Sequence, residues 1–281
     1  MGRVPIAIVG FGRFGRLHAL RLSTHPLFEL RCVVDPRAEA RAQAKSLAVT
    51  VLSELAELPP DVSAAAVTTP PETHAEIAST LMQRGLHVLV EKPLATCEAD
   101  IAQLLATSRE TGRILCTGHV ERFNPKRIQL CEGDVIEFRR TARGAHGGRH
   151  AVLDLLVHDL DLFAYWLDLP FEHEIQVADV RLDDQEIDAT CVLAGFPLRL
   201  RAAYGAPASR ASVLCGSASP AAAKLAGSRA PADRLGLYGE DALARQYSAF
   251  HDRLCGLVSP IADGLAGSAA ARRALTILNM L

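Results

Sequence analysis

No run of apolar residues in this chain approaches the ~18 that a membrane helix requires. The N-terminal stretch, MGRVPIAIVGFG, is interrupted by glycine almost at once, so it lacks the apolar core of a secretory signal. No CxxC pair occurs, and the seven cysteines are an odd number scattered along the chain. Neither a disulfide framework nor a cysteine-rich zinc site is indicated, and reduced thiols fit best. An excess of one charge is missing too. Thirty Lys and Arg stand against 32 Asp and Glu, a formal net charge of -2. That excludes the broad basic surface of a dedicated nucleic-acid binder. His119, His146, His158 and Asp159 lie apart with no HExxH-type spacing, so no metal is expected. These absences point to a soluble, cytoplasmic protein without membrane or nucleic-acid partners.

What is present is an ordinary globular balance, 49% hydrophobic and 22% charged. At roughly 150 residues per domain, 281 residues suggest two domains. In the first third, short apolar runs end at turn residues: 6–9 at Gly10, 30–34 at Asp35-Pro36, 64–68 at Pro70-Pro71, 87–90 at Glu91-Lys92-Pro93, and 114–117 at Gly118. Helix-like segments at 13–24, 37–47, 72–84 and 98–112 separate them. Apolar strands alternating with helices read as a doubly wound parallel sheet, an α/β fold covered on both faces. Beyond residue 120 the rhythm changes. A helix over 152–167 precedes closely linked strands at 172–182, 187–195, 197–204 and 211–216, with a hairpin corner over 193–198. Such strands form an open, mostly antiparallel sheet. Segments 241–257 and 269–281 read as helices that pack back on the core, and 217–232 as a surface loop. The expected domains are 1–119 and 120–281.

Gly10-Phe11-Gly12-Arg13-Phe14-Gly15 follows the first strand and opens the first helix. In that context a GxGxxG turn predicts a dinucleotide cradle. The first glycine permits the tight turn, the second lets a pyrophosphate approach, and the third allows helix–strand packing. The helix N-terminus then receives the phosphates. Asp35 ends the second strand, where a carboxylate accepts hydrogen bonds from ribose hydroxyls and repels a 2′-phosphate. NAD is therefore favoured over NADP, a preference that Arg37 nearby would soften.

Lys92 closes the fourth run near the carboxyl edge of the sheet, where open α/β folds bind ligands. Asp154 and His158 lie four apart on an expected helix and so share a face. Alone, that pair is compatible with metal ligation, catalysis or a surface ion pair. Arg139, Arg140, Arg143, Arg149 and His150 surround Gly144, Gly147 and Gly148. They read either as a basic loop over a diphosphate or as a solvated one. Arg122 and Asn124 sit in an expected interdomain loop, as substrate contacts or hinge groups. His18 is expected to be buried or capping.

Taken in order, GFGRFGRLH, VVDP, VTTPPETH, EKP and DLLVHDLD resemble the Gfo/Idh/MocA oxidoreductase family, and GHVERFNP with DLLVHD resembles its nucleotide-sugar branch. The resemblance implies a Rossmann domain joined to an α/β domain whose sheet forms a homodimer or homotetramer. It implies that Lys92, Asp154 and His158 are catalytic and also hold substrate. It places Thr69, Pro70, His74, Glu91 and Lys92 on the cofactor side, beside the glycine turn. The implied reaction is NAD-dependent oxidation of the C3 hydroxyl of UDP-N-acetylglucosamine to a 3-keto sugar. A partner aminotransferase would then make a 3-amino sugar for lipid A or surface polysaccharide. An inositol or simple-sugar substrate is the alternative, and a non-catalytic NAD sensor a more distant one. A neutral imidazole at His158 could accept the hydroxyl proton. Lys92 could stabilise the developing oxyanion or itself act as the base.

Overall fold

The computed structural model describes residues 2–124, 134–144, 146–206, 210–217 and 241–281. They divide into two units, the described residues of 1–124 with 232–267, and those of 125–231 with 268–281. The expected boundary at 119 thus moves to Asn124, and the expected contiguous second domain is corrected. The chain returns to its first unit with the helix Ala242–Leu254. Burial of aromatic area explains the return. Tyr247 and Phe250 are fully buried, and their ring centroids lie 5.7 and 5.9 Å from that of Phe28.

In the first unit the strands are β1 (Val4–Val9), β2 (Phe28–Val34), β3 (Thr50–Leu52), β4 (Ala64–Val67), β5 (His87–Glu91) and β6 (Leu115–Gly118). All pair in parallel, and a short β12 (Ala262–Asp263) adds antiparallel to β6. The order is β12-β6-β5-β4-β1-β2-β3. Strand order therefore reverses between β1 and β4, the switch point where open α/β sheets bind ligands. The helices are α1 (Arg13–Leu22), α2 (Ala38–Ala44), α3 (His74–Gln83), α4 (Glu98–Thr111) and α7 (Ala242–Leu254). Along α1, Gly15, His18, Ala19 and Leu22 are buried, spacing that turns one helical face to the sheet. β4 is built of three alanines and a valine, all buried. Flanking strands on both sides override alanine's weak strand preference there. β3 and β12, of three and two residues, are too short to leave a pattern in the sequence.

The second unit has a five-stranded sheet of β7 (Asp134–Ala142), β8 (Ile175–Leu182), β9 (Glu186–Leu193), β10 (Phe196–Tyr204) and β11 (Arg210–Ser217), ordered β11-β7-β10-β9-β8. Only β7 and β10 pair in parallel, so the sheet is mostly antiparallel as expected. The expected hairpin is present. Ala194 and Gly195 both have positive φ (52° and 83°) between β9 and β10, the geometry of a type I′ turn. Inward residues of β7, β9 and β10 pack with Val157, Leu160 and Phe163 of α6 (Val157–Trp166) and with Ala270, Ala274 and Ile277 of α8 (Gly264–Leu278). The outward face carries an ion-pair lattice. Asp188 meets Arg199 at 2.6 Å and Arg201 at 3.0 Å, and Glu137 meets Arg139 at 2.8 Å. β7 corrects the expected basic loop, because Arg139 and Arg140 lie on a strand. The loop expected over 217–232 lies, apart from Ser217, outside the described residues.

Candidate active site

The glycine turn gives each glycine a separate duty. Gly10 has φ +93°, and a Cβ there would stand 2.8 Å from Thr69 Cγ2. A Cβ on Gly15 would stand 2.0 Å from the Gly10 carbonyl oxygen, so only glycine lets α1 lie this close to β1. A Cβ on Gly12 would meet nothing nearer than the Arg37 guanidinium at 3.9 Å. That position is open because it faces a cavity of about 670 Å³ lined by Gly12, Arg13, Phe14, Asp35, Arg37 and Pro70, among others. Gly12 caps α1 with no side-chain hydrogen bond, so the first amides of the helix remain available to an anion.

Asp35 lies at the cavity wall and is only 2% exposed. Its carboxylate accepts hydrogen bonds from the Phe11 amide (2.7 Å), the Arg37 amide (2.9 Å), and Arg37 Nε and Nη2 (3.0 and 2.8 Å). Burial pushes the Asp35 pKa up, but the Arg37 and Phe11 hydrogen bonds and the Arg37 charge outweigh it and hold the group below its ordinary value. Arg37, whose side chain is 60% exposed, thus rims the cavity while gripping Asp35.

The opposite wall is braced by polar links. Thr68 Oγ1 donates to the Gly10 carbonyl at 2.7 Å, and Thr73 Oγ1 lies 2.8 Å from Thr69 Oγ1. His74 was expected on the cofactor side, and the structure buries it at 1% exposure. Its Nδ1 lies 2.8 Å from the Pro93 carbonyl and its Nε2 3.0 Å from the Thr69 carbonyl. Burial lowers its pKa against the opposing pull of those carbonyls and of Glu91 and Glu72. It ties the Thr69-Pro70 turn to the segment after Lys92. Lys92 is half-buried just past β5, and its bond to Pro93 is cis. Glu91 is turned inward against His18, with Nε2 to Oε1 at 3.0 Å. Arg122 donates to the Pro260 carbonyl at 3.3 Å, and Asn124 to Glu121 at 2.6 Å. These are local links within the first unit.

In the second unit, a short α5 (Gly148–Ala151) leads into a π-helical turn, Val152–Leu156, which opens the expected helix over 152–167 before α6. Such turns recur at functional sites. Asp154 lies on it and His158 four residues on, both half-buried. The Tyr204 hydroxyl, at the end of β10, donates to Asp154 Oδ2. Burial, then the Asp154 hydrogen bond and charge, push the Tyr204 pKa up, so the hydroxyl stays protonated. The sequence reading missed Tyr204. Its signal was an aromatic with a polar tip ending an apolar strand, which needs a partner when buried. The rings of His146 and His150 lie 5.1 and 6.0 Å from that of Tyr204.

Arg140 corrects the expectation of a diphosphate contact. It is 8% exposed, and its Nε lies 2.7 Å from Asp159 Oδ1 inside the unit. Arg143, Arg149, His146 and His150 are exposed. Among the described residues no group of His, Cys, Asp and Glu could hold a metal ion, and no helix is long and apolar enough to cross a membrane.

Residues 4–119 match the Gfo/Idh/MocA oxidoreductase family, NAD-binding Rossmann fold. The resemblance read from GFGRFGRLH through EKP is thereby borne out for this domain. The chain is 33% identical over 184 residues to 4-carboxy-2-hydroxymuconate-6-semialdehyde dehydrogenase of Sphingobium sp., covering 57% of this chain and 58% of that protein. It is 29% identical over 163 residues to UDP-N-acetylglucosamine 3-dehydrogenase of Acidithiobacillus ferrooxidans, covering 55% and 51%. The matches thus span little more than half the length of these curated relatives. The solved structure of the latter enzyme superposes with a TM-score of 0.75 at 23% identity, over 100% of this chain and 98% of that one. At that identity the likeness establishes the fold.

Proposed function

We propose, from the premise that residues 4–119 carry the NAD-binding domain of the Gfo/Idh/MocA oxidoreductases, that this chain is an NAD-dependent dehydrogenase acting on a CH–OH group. The observation that carries the reading is the open Cβ position of Gly12, facing the cavity beside buried Asp35. A backbone cradle at a helix N-terminus suits a pyrophosphate, and an ionised carboxylate beyond it suits ribose hydroxyls. NAD, when bound, supplies the hydride acceptor. Proton and oxyanion handling fall to the chain.

In this reading the half-buried His158 accepts the hydroxyl proton, and Lys92 steadies the negative charge on the substrate oxygen. Asp154, held by Tyr204, orients the imidazole or a substrate hydroxyl. The substrate we favour is UDP-N-acetylglucosamine, oxidised at C3. Its keto product is the natural feed of an aminotransferase making a 3-amino sugar for lipid A or surface polysaccharide. Exposed Arg149 and Arg143 then face the diphosphate in place of Arg140. An inositol or simple-sugar substrate is the second reading. It is favoured by the sequestration of Arg140 on Asp159, which leaves fewer cations for a diphosphate. Self-association through the second unit's sheet would engage the Asp188–Arg199–Arg201 face and so weaken with salt.

The test is kcat for Lys92→Met and His158→Ala. Each should fall roughly 10²–10⁴-fold with NAD affinity little changed. Near-normal turnover in either folded variant would remove that residue from the mechanism.

A further inference from the structure

Beneath Lys92 runs a buried hydrogen-bonded chain that this chemistry leaves unused. The hydroxyl of Tyr247, fully buried on α7, lies 2.7 Å from His18 Nδ1. His18, 2% exposed on α1, places Nε2 3.0 Å from Glu91 Oε1. Glu91 Oε2 accepts the Lys92 backbone N–H at 3.3 Å. Burial and the Glu91 charge hold the Tyr247 pKa well above its ordinary value. The hydroxyl therefore stays protonated, and His18 Nε2 donates to the ionised Glu91 carboxylate. The Glu91 side chain is only 14% exposed. Burial pushes its pKa up, but the His18 hydrogen bond and the charges of His18, Lys92 and His74 outweigh this and hold the group ionised. Room for the carboxylate comes from Gly118, where a Cβ would stand 2.6 Å from Glu91 Oε1.

A carboxylate removed from water takes up a proton unless it is held by donors or a counter-charge. Glu91 has donors on both oxygens and the Lys92 cation as partner. We propose that Tyr247 and His18 are positioning residues that fix the Glu91 carboxylate under Lys92, and that Glu91 acts as the lysine's built-in counter-charge. This deepens the reading of Lys92 as the group that meets the substrate oxygen, and it rests on that reading. The titratable groups facing the carboxylate are His18, Lys92, His74 and Tyr247.

The chain has four lysines, Lys45, Lys92, Lys126 and Lys224, so amine labelling can be read lysine by lysine by mass spectrometry. With the full-length protein and acetic anhydride near neutral pH, labelling of Lys92 relative to Lys45 should rise severalfold in Glu91→Gln, because the carboxylate that receives the Lys92 amide and faces its charge is lost. His18→Asn should approach that value. Tyr247→Phe, which removes one buried oxygen, should give about two- to threefold. In turnover assays the same variants should lower kcat with KM and NAD affinity changed less than about twofold. Far-UV circular dichroism checks folding, and if Glu91→Gln fails to fold, Tyr247→Phe decides. Unchanged relative labelling in the folded variants overturns the proposal. Absence of turnover by the wild-type protein would instead count against the functional reading, while the labelling comparison would still decide the relay.

Discussion

Adding a single methyl should separate the two roles of the glycine turn, because the structure gives its two later glycines opposite surroundings. Gly12 has φ −80° and ψ −159°, backbone that alanine adopts, and its added Cβ meets nothing within 3.9 Å. Gly12→Ala should therefore change stability by no more than about 1 kcal/mol, the scale of an N-cap change. The methyl nevertheless occupies the path of the pyrophosphate. Losing two charge-assisted hydrogen bonds at about 1.5 kcal/mol each would weaken NAD binding roughly 100-fold. Gly15→Ala acts inversely. Its Cβ would stand 2.0 Å from the Gly10 carbonyl oxygen and 2.9 Å from Thr68 Oγ1. The first of these atoms is backbone, so α1 must move off β1. Overpacking of this kind costs about 1–3 kcal/mol or more, a loss of roughly 2–12 °C in Tm at about 2–4 °C per kcal/mol. Thermal melting without ligand and calorimetric titration with NAD measure the two effects. A stable Gly12→Ala that binds NAD like wild type would refute the cradle. A Gly15→Ala as stable as wild type would refute the packing argument.

Other expectations follow from the same geometry. Asp35→Asn should weaken NAD binding about tenfold and release Arg37 for a 2′-phosphate, narrowing the NAD-over-NADP ratio; an unchanged ratio by titration of both cofactors would contradict the ribose assignment. Because the folded pKa of Asp35 is depressed, its stabilising effect is complete above ~3.9 and lost as pH falls through the lower folded value, so acid melts of wild type and Asp35→Asn should converge. Arg140→Ala leaves Asp159 buried without its guanidinium and should destabilise by about 3–5 kcal/mol, seen as a lowered denaturation midpoint, whereas Arg149→Ala should raise KM for a nucleotide sugar at normal stability. Tyr204→Phe should lower kcat by about tenfold, the loss of one charged hydrogen bond, with NAD affinity unchanged; normal kcat would detach Tyr204 from the site.

The parallel sheet was legible because its strands are short apolar runs stopped by Gly, Asp or Pro, with amphipathic helices between them. The hairpin at Ala194-Gly195 was legible for the same local reason. β7 was not, because Arg139, Arg140 and Glu137 interrupt its apolar residues. Only long-range partners, Asp159 for Arg140 and Arg201 for Glu137, together with pairing to β10, make a strand of them. The basic loop read there was an error of that kind. Gly10, Gly12 and Gly15 could be assigned before the fold was known, because their spacing directly after an apolar run is itself the signal. His18 and Tyr247, 229 positions apart, could not be paired, because their meeting depends on the chain returning with α7 to the first unit. The resemblance placed His74 on the cofactor side, yet it is buried with its ring nitrogens against the Pro93 and Thr69 carbonyls, a setting that only the fold creates.

The most direct test of the account is reduced-nicotinamide formation by the purified protein with NAD across a panel of UDP-sugars, free sugars and inositols. NAD-dependent oxidation of a CH–OH substrate is the expected result, fastest with UDP-N-acetylglucosamine and lost in His158→Ala. No turnover with any substrate by a protein that binds NAD would contradict it.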